Sequence, residues 1–192
     1  MDLEIREEAP NDLEDYGRVP IAFTVDRVLQ PVLRGSNGLG GVALVERQVE
    51  PPYVKDYDAD GGPERWRRWD LGNWGILSGY IDGERAGGAV VAYNTDGVNA
   101  LEGRGDLAAL WDIRVRPDLR GRGIGGRLFE RAEGWAAARG CRLFKVETHN
   151  NNVAACRFYA ARGCRLGLIH RYAYEELPQE TELTWYKELN GA

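Results

Sequence analysis

The chain is poor in cysteine, histidine and long apolar runs, and each shortage closes off a class of function. Only Cys141, Cys156 and Cys164 occur among 192 residues. An odd number with no C-x-x-C gives neither a disulfide framework nor a zinc site, so reduced core or near-core thiols and no bound metal are expected. No apolar stretch approaches the roughly 20 residues of a membrane helix, and MDLEIREEAP lacks the basic and apolar regions of a signal peptide. A cytoplasmic protein with no membrane partner is expected. Basic charge is not in excess: 25 Lys and Arg stand against 30 Asp and Glu, a net charge of −5. That balance argues against nucleic acid, whose binding rests on cationic contacts to phosphate, and suits either a cationic substrate or simple solubility. No Ser, Cys or His constellation marks a covalent intermediate. Cys156 has no evident base beside it, and His149 and His170 read as ordinary polar residues. Internal repeats and low-complexity tracts are absent.

What is present suits one globular domain of mixed α/β class. The chain is 43% hydrophobic with six Trp, too apolar for disorder. A domain of this size buries roughly 70% of its unfolded surface. Residues 20–34 carry a β-rich portion, 35–41 a glycine-rich turn, and 42–49 a further strand that Pro51 and Pro52 are expected to end. Tyr53 to Gly62 is an acidic, aromatic loop that either covers a cationic ligand or is a solvated connection. Residues 63–69 read as a short helix with Trp66 and Trp69 on one face. Trp74–Ile81 and Arg85–Tyr93 form a hairpin around Asp82-Gly83.

The richest stretch is Asp106 to Arg127. Leu107 to Val115 reads as a strand, with Trp111, Ile113 and Val115 on one side and Leu110, Asp112 and Arg114 on the other. Pro117 ends it. Arg120-Gly121-Arg122-Gly123-Ile124-Gly125-Gly126 follows, and a helix over 123–139 carries an apolar stripe at 124, 128, 132, 135 and 136. Glycines ahead of a helix let successive N–H groups converge where the first turn adds unsatisfied donors and positive charge. Phosphate is the natural guest, with Arg120 and Arg122 as mobile cations beside it. Gly121, Gly123 and Gly126 also satisfy G-x-G-x-x-G, but Arg116 to Arg120 intervene between strand and glycine, unlike a dinucleotide fold. No Lys-Ser or Lys-Thr follows, which excludes a P-loop. Downstream, Leu143–Thr148 is a strand, Asn152 caps the next helix, and Tyr159 lies two turns along on the same face. Residues 164–174 and 181–188 close the domain as strands.

Arg120-x-x-Gly123-x-Gly125 after an acidic strand, then Asn152-x-x-Ala155-x-x-x-Tyr159 and Arg162-Gly163, resembles the GNAT superfamily of N-acetyltransferases over roughly residues 70–189. The resemblance implies a mixed, mostly antiparallel central sheet flanked by helices, with residues 1–69 supplying substrate-side elements. It further implies acetyl-CoA as cofactor, held at Ile113, Val115, Arg120, Gly121, Arg122, Gly123, Ile124, Gly125 and Asn152. Dimerisation is common among such proteins. The segment from Glu147 to Tyr159, together with Pro52–Tyr57 and Trp185-Tyr186, is similar to the streptothricin acetyltransferases, which acetylate an amino group on the β-lysine arm of a cationic antibiotic. The Trp111-Asp112 pair and the longer glycine-rich N-terminal part depart from that branch.

Acetyl transfer to an amine needs a neutral amine, a polarised carbonyl and a proton for the departing thiolate. Asp112 or Glu147, directly or through water, could take the ammonium proton; either could instead bind the cation or pair with arginine. The resemblance implies carbonyl polarisation by a backbone N–H near Ile113 to Val115. The resemblance implies that Tyr159 lies near the thiol, which makes it the candidate acid at sulfur, a role that a phenol of ordinary pKa ~10 permits. Direct transfer in a ternary complex is expected.

Overall fold

A computed structural model describes residues 2–189. Two compact units divide it, one formed by the chain up to Ala22, Asp56–Val146 and the chain from Lys187, the other by Phe23–Lys55 and Glu147–Tyr186. Among the described residues no helix is long and apolar enough to cross a membrane.

The first unit begins with strand β1 (Glu4–Glu8) and helix α1 (Leu13–Gly17), which buries Leu13 and Tyr16. Neither declares itself in sequence. The strand EIREE is too charged to alternate visibly, and α1 is only five residues long. Strands β4 (Gly75–Ile81) and β5 (Glu84–Tyr93) form the expected hairpin, with Asp82 at φ 52° and Gly83 at φ 82°. Positive φ at both central residues is what a two-residue turn matched to strand twist requires. Strand β6 (Leu107–Val115) pairs antiparallel with β5. Helix α2 (Ile124–Ala137) then crosses back to strand β7 (Leu143–His149), which pairs parallel with β6 from Leu107↔Leu143 to Leu110↔Val146. A parallel pair needs such a crossover.

Helix α2 forms because its apolar residues recur at helical spacing. Ile124, Leu128, Ala132, Trp135 and Ala136 are all buried, with Phe129 beside them, on β4, β5 and β6. Replacing a residue such as Trp135 by Ala in a core of this kind costs about 3–5 kcal/mol.

The second unit contains strands β2 (Phe23–Leu33) and β3 (Val42–Lys55), an antiparallel pair forming its own sheet. Helix α3 (Val153–Ala161) and strands β8 (Arg165–His170) and β9 (Glu182–Glu188) follow. The main sheet has strand order β1-β4-β5-β6-β7-β9-β8. With β1/β4, β4/β5, β5/β6 and β8/β9 antiparallel and β6/β7 parallel, it is the mixed, mostly antiparallel α/β sheet expected.

Two local expectations are corrected. Pro51 and Pro52 do not end a strand at residue 49, because β3 runs on to Lys55. The register passes from Arg27↔Gln48 to Val25↔Tyr53, so both prolines lie in a bulge opposite Asp26, where no ladder donor is required of them. Trp66 and Trp69 do not share a face. Trp66 is buried against Tyr16 with ring centroids 6.0 Å apart, whereas Trp69 leaves the short 3-10 helix extended and joins Trp74 and Trp111.

Candidate active site

Within the first unit, the site is prepared by a bulge in β6. Val90 pairs with Asp112 and Val91 with Leu110, so Trp111 is the extra residue. Its ring is taken up by Trp69 and Trp74 at centroid distances of 5.0 and 5.2 Å. The parallel ladder to β7 stops at Leu110↔Val146, just where the bulge begins. Beyond it, Ile113 and Val115 pair with Ala89 and Gly87 of β5, and among the described residues β6 has no ladder partner on its other edge. An edge of this kind accepts an extended, amide-bearing ligand by backbone hydrogen bonds.

After β6, residues 117–119 make one 3-10 turn and the glycine loop follows. Gly121 at φ 76° and Gly123 at φ 82° hold left-handed conformations that cost most other residues about 1–2 kcal/mol. Gly123 is the N-cap of α2 and brings no side chain to cap it. The first hydrogen bond of the helix runs from Arg127 N–H to Gly123 C=O, 3.2 Å. The N–H groups of Ile124, Gly125 and Gly126 are therefore the initial donors that an α-helix leaves unsatisfied, at its positive end. That donor set fits the pyrophosphate of acetyl-CoA.

The Arg120 side chain departs from expectation. It is not a mobile cation, because its guanidinium donates to three backbone carbonyls: Nε to Val115 (3.1 Å), Nη1 to Ala22 (3.3 Å) and Nη2 to Pro20 (3.2 Å). Its contribution is to brace the loop against the end of β6. Arg122 is exposed and is left as the cation of the motif. A Gly123→Val substitution either strains this backbone or turns the amides apart. It is expected to weaken acetyl-CoA binding at least tenfold, equivalent to about 1.4 kcal/mol, as read by calorimetry; unchanged affinity would remove the loop from the cofactor site.

Of the readings open for Asp112, the geometry meets the pairing with arginine. Its Oδ1 accepts from Tyr16 Oη at 2.5 Å and Arg114 Nε at 2.8 Å, and its Oδ2 accepts from Arg114 Nη2 at 2.7 Å. Arg114, its side chain 1% exposed, also donates to Asp58 Oδ2 at 2.7 Å and to the Val19 carbonyl at 3.1 Å. Burial alone would lower the guanidinium pKa, but Asp112 and Asp58 outweigh it and hold the group above its usual value. Burial, then the Asp112 charge, raises Tyr16 well above an ordinary phenol. Asp112 is thus the buried counter-ion of Arg114, with both oxygens committed. Tyr16 reaches it across Gly88, where an added Cβ would lie 2.4 Å from the Tyr16 ring.

In the second unit, three successive asparagines divide the work after β7. Asn150 Oδ1 accepts from Thr181 N–H (2.8 Å) while its Nδ2 donates to the Leu29 carbonyl (3.1 Å). Asn151 Nδ2 donates to Tyr53 Oη (3.1 Å). Asn152 Oδ1 accepts from Ala155 N–H (3.1 Å), the N-cap of α3. Tyr159 lies on the buried stripe of α3 with Val153 and Cys156, and Glu147 is exposed near the end of β7. Burial pushes the Cys156 thiol up to about 12, which suits a core residue and not a nucleophile.

Sequence reasoning missed Tyr16 and the importance of Arg114, and singled out Asp58 only as part of an acidic loop. Strand alternation did set Arg114 on the same side as Asp112.

The acetyltransferase (GNAT) family model matches residues 43–164. A streptothricin acetyltransferase of Escherichia coli is 34% identical over 149 residues, 76% of each chain. The crystal structure of a nourseothricin acetyltransferase superposes with a TM-score of 0.77 at 26% identity, covering 99% of this chain and all of the other. A candidate streptothricin acetyltransferase from Bacillus anthracis str. Ames, solved with acetyl coenzyme A, gives 0.76 at 28% identity over 97% of this chain and 99% of its own. With the glycine loop at a helix N-terminus and the interrupted β6 ladder, these matches establish the chain as a member of the acetyltransferase (GNAT) family, an acetyl-CoA-dependent N-acetyltransferase.

Proposed function

We propose that the acceptor is streptothricin or an antibiotic with the same β-lysine arm, acetylated on a primary amine by direct transfer. One observation carries this reading: the similarity to streptothricin acetyltransferases is not confined to the cofactor motif but spans three quarters of the chain or more. A net charge of −5 and the exposed Glu147 suit a polycationic substrate.

Acetyl-CoA supplies the acetyl thioester and a good leaving group. The residues would divide the remaining work. Gly121 to Gly125 and Arg122 hold the phosphates, and Ile113 and Val115 offer backbone groups along the open edge of β6. Asn152 orders the start of α3. Glu147 holds a substrate ammonium and takes its proton, directly or through water, and Tyr159 keeps a proton on its phenol for the departing sulfur. No covalent acetyl-enzyme is formed, in keeping with a Cys156 thiol pushed up to about 12 by burial.

The test is direct. Streptothricin incubated with enzyme and acetyl-CoA should gain one acetyl group, located on the β-lysine arm by fragmentation mass spectrometry. An unmodified antibiotic beside a polyamine or peptide that is acetylated would overturn the substrate assignment and leave the chemistry.

A further inference from the structure

The bulge that prepares the open edge of β6 also builds an aromatic wall within the first unit. Trp111 is the bulge residue; it follows the last rung to β7 at Leu110 and precedes Ile113 by two residues, about 7 Å of strand. Its ring meets Trp69 in a T-shaped pair at 5.0 Å, with planes 78° apart, and Trp74 at 5.2 Å and 58°. Trp69 and Trp74 stack at 6.1 Å. Three indoles therefore gather where the open edge begins.

Two of the rings are fixed from outside the cluster. Trp69 Nε1 donates to the Gly97 carbonyl at 3.3 Å, and Trp74 Nε1 donates to Thr95 Oγ1 at 3.0 Å. Thr95 Oγ1 in turn donates to the Tyr93 carbonyl at 2.8 Å, and Asp70 Oδ1 accepts from the Gly72 N–H at 2.9 Å. The segment from Trp69 to Trp74 is thus knitted to the turn after β5. With their only donors committed, these indoles present π faces to anything that approaches. Trp74 is 6% exposed and packs as a core residue, whereas Trp69 and Trp111 are half-buried and keep surface toward solvent.

Charge sets what such a wall attracts. The face of an indole is negative, and a cation placed over it is held by the ring quadrupole. Trp69 already takes one: Cζ of Arg68 lies 3.9 Å from its ring centroid. Arg68 is an exposed side chain, so a competing cation can displace it. Asp70 and Asp96, both exposed, follow directly on Trp69 and Thr95 in the two segments that hold the rings. Carboxylates at that rim add to the attraction for an ammonium.

We propose that Trp69 and Trp111 form a subsite that receives an alkylammonium of the acceptor against the indole faces, with Arg68 occupying the Trp69 face until the acceptor displaces it. The ammonium recognised here stays charged through the transfer. It is therefore not the amine that attacks, which must be neutral, and the acceptor carries a second cationic group. Trp74 is the positioning residue that backs both rings.

The proposal rests on the amine-acetylation reading, and two measurements separate its failure from that of the substrate assignment. The first needs no turnover. Among the indole N–H signals of the six tryptophans, choline should shift those of Trp69 and Trp111, and it should bind at least about fivefold more tightly than the uncharged alcohol in which carbon replaces its nitrogen. Equal affinities, or shifts confined to other tryptophans, would overturn the proposal whatever the acceptor. In turnover, on streptothricin or whichever amine of a panel is acetylated, Trp69→Leu should raise KM for the acceptor by about five- to thirtyfold, with kcat within about threefold and acetyl-CoA affinity unchanged. Trp69→Phe should fall between, and Arg68→Gln, which clears the ring face, should lower that KM. Replacing the second amino group of the acceptor by a methyl group should raise KM in the parent and change it little in Trp69→Leu. A folded Trp69→Leu enzyme with the parental KM, or one that loses kcat instead, would overturn the assignment. These effects on another amine, with streptothricin untouched, would remove only the substrate.

Discussion

Tyr159→Phe is expected to lower kcat by about 10²–10⁴-fold while leaving the dissociation constant of acetyl-CoA within about twofold. The reasoning separates the ring from its hydroxyl. The ring lies on the buried stripe of α3, beside Val153 and Cys156 and 5.4 Å from the Phe158 ring, and phenylalanine preserves that packing. Only the O–H is removed, which costs about 0.5–1.5 kcal/mol of stability where it was hydrogen-bonded. Transition-state loss should therefore far exceed any loss of fold. Pre-steady-state turnover beside a binding isotherm checks both halves, and a kcat within threefold of the parent would reduce Tyr159 to a packing residue.

The second large effect is on stability. Arg114→Met leaves Asp112 buried and Asp58 without its partner. Breaking one side of a buried ion pair costs about 3–5 kcal/mol, because the remaining charge is uncompensated. At about 2–4 °C per kcal/mol for a chain of this size, Tm should fall by about 6–20 °C. Adding Asp112→Asn should recover part of the loss, since the orphaned charge disappears while the amide can still accept from Tyr16 Oη. A single-variant cost below about 1 kcal/mol, or no recovery in the double variant, would show that the Tyr16, Asp112, Arg114 and Asp58 network is not what fixes the outer half of β6.

These two residues illustrate what was legible in the chain. Tyr159 stands at a fixed spacing from Asn152 on one helix, but that spacing alone suits a core residue as well, and it was the resemblance to the GNAT family that singled it out. The β4/β5 hairpin, β6, the stripe of α2 and the cap of α3 were readable for a local reason: each is specified by residues within a turn or two of one another. For Asp112 the pairing with arginine was one open reading, but the rest of its network was not readable. Its partner Tyr16 lies 96 residues away in a five-residue helix with no recognisable pattern, and Asp58 sits in a loop whose acidity had two explanations. A β-bulge at Trp111 left no mark on an otherwise alternating strand, although it is where the ladder to β7 stops. Pro51 and Pro52 misled because proline ends a paired strand but not a bulged one.

The central claim is acetyl transfer from acetyl-CoA to an amine of a small cationic antibiotic. Acetyl-CoA-dependent release of free thiol by purified protein tests it most directly, with streptothricin, aminoglycosides, polyamines and lysine-rich peptides as acceptors. Release with streptothricin well above every other amine, abolished in Tyr159→Phe, is the result expected. Release with none of them, or equal release with streptothricin from the Tyr159→Phe enzyme, would contradict it.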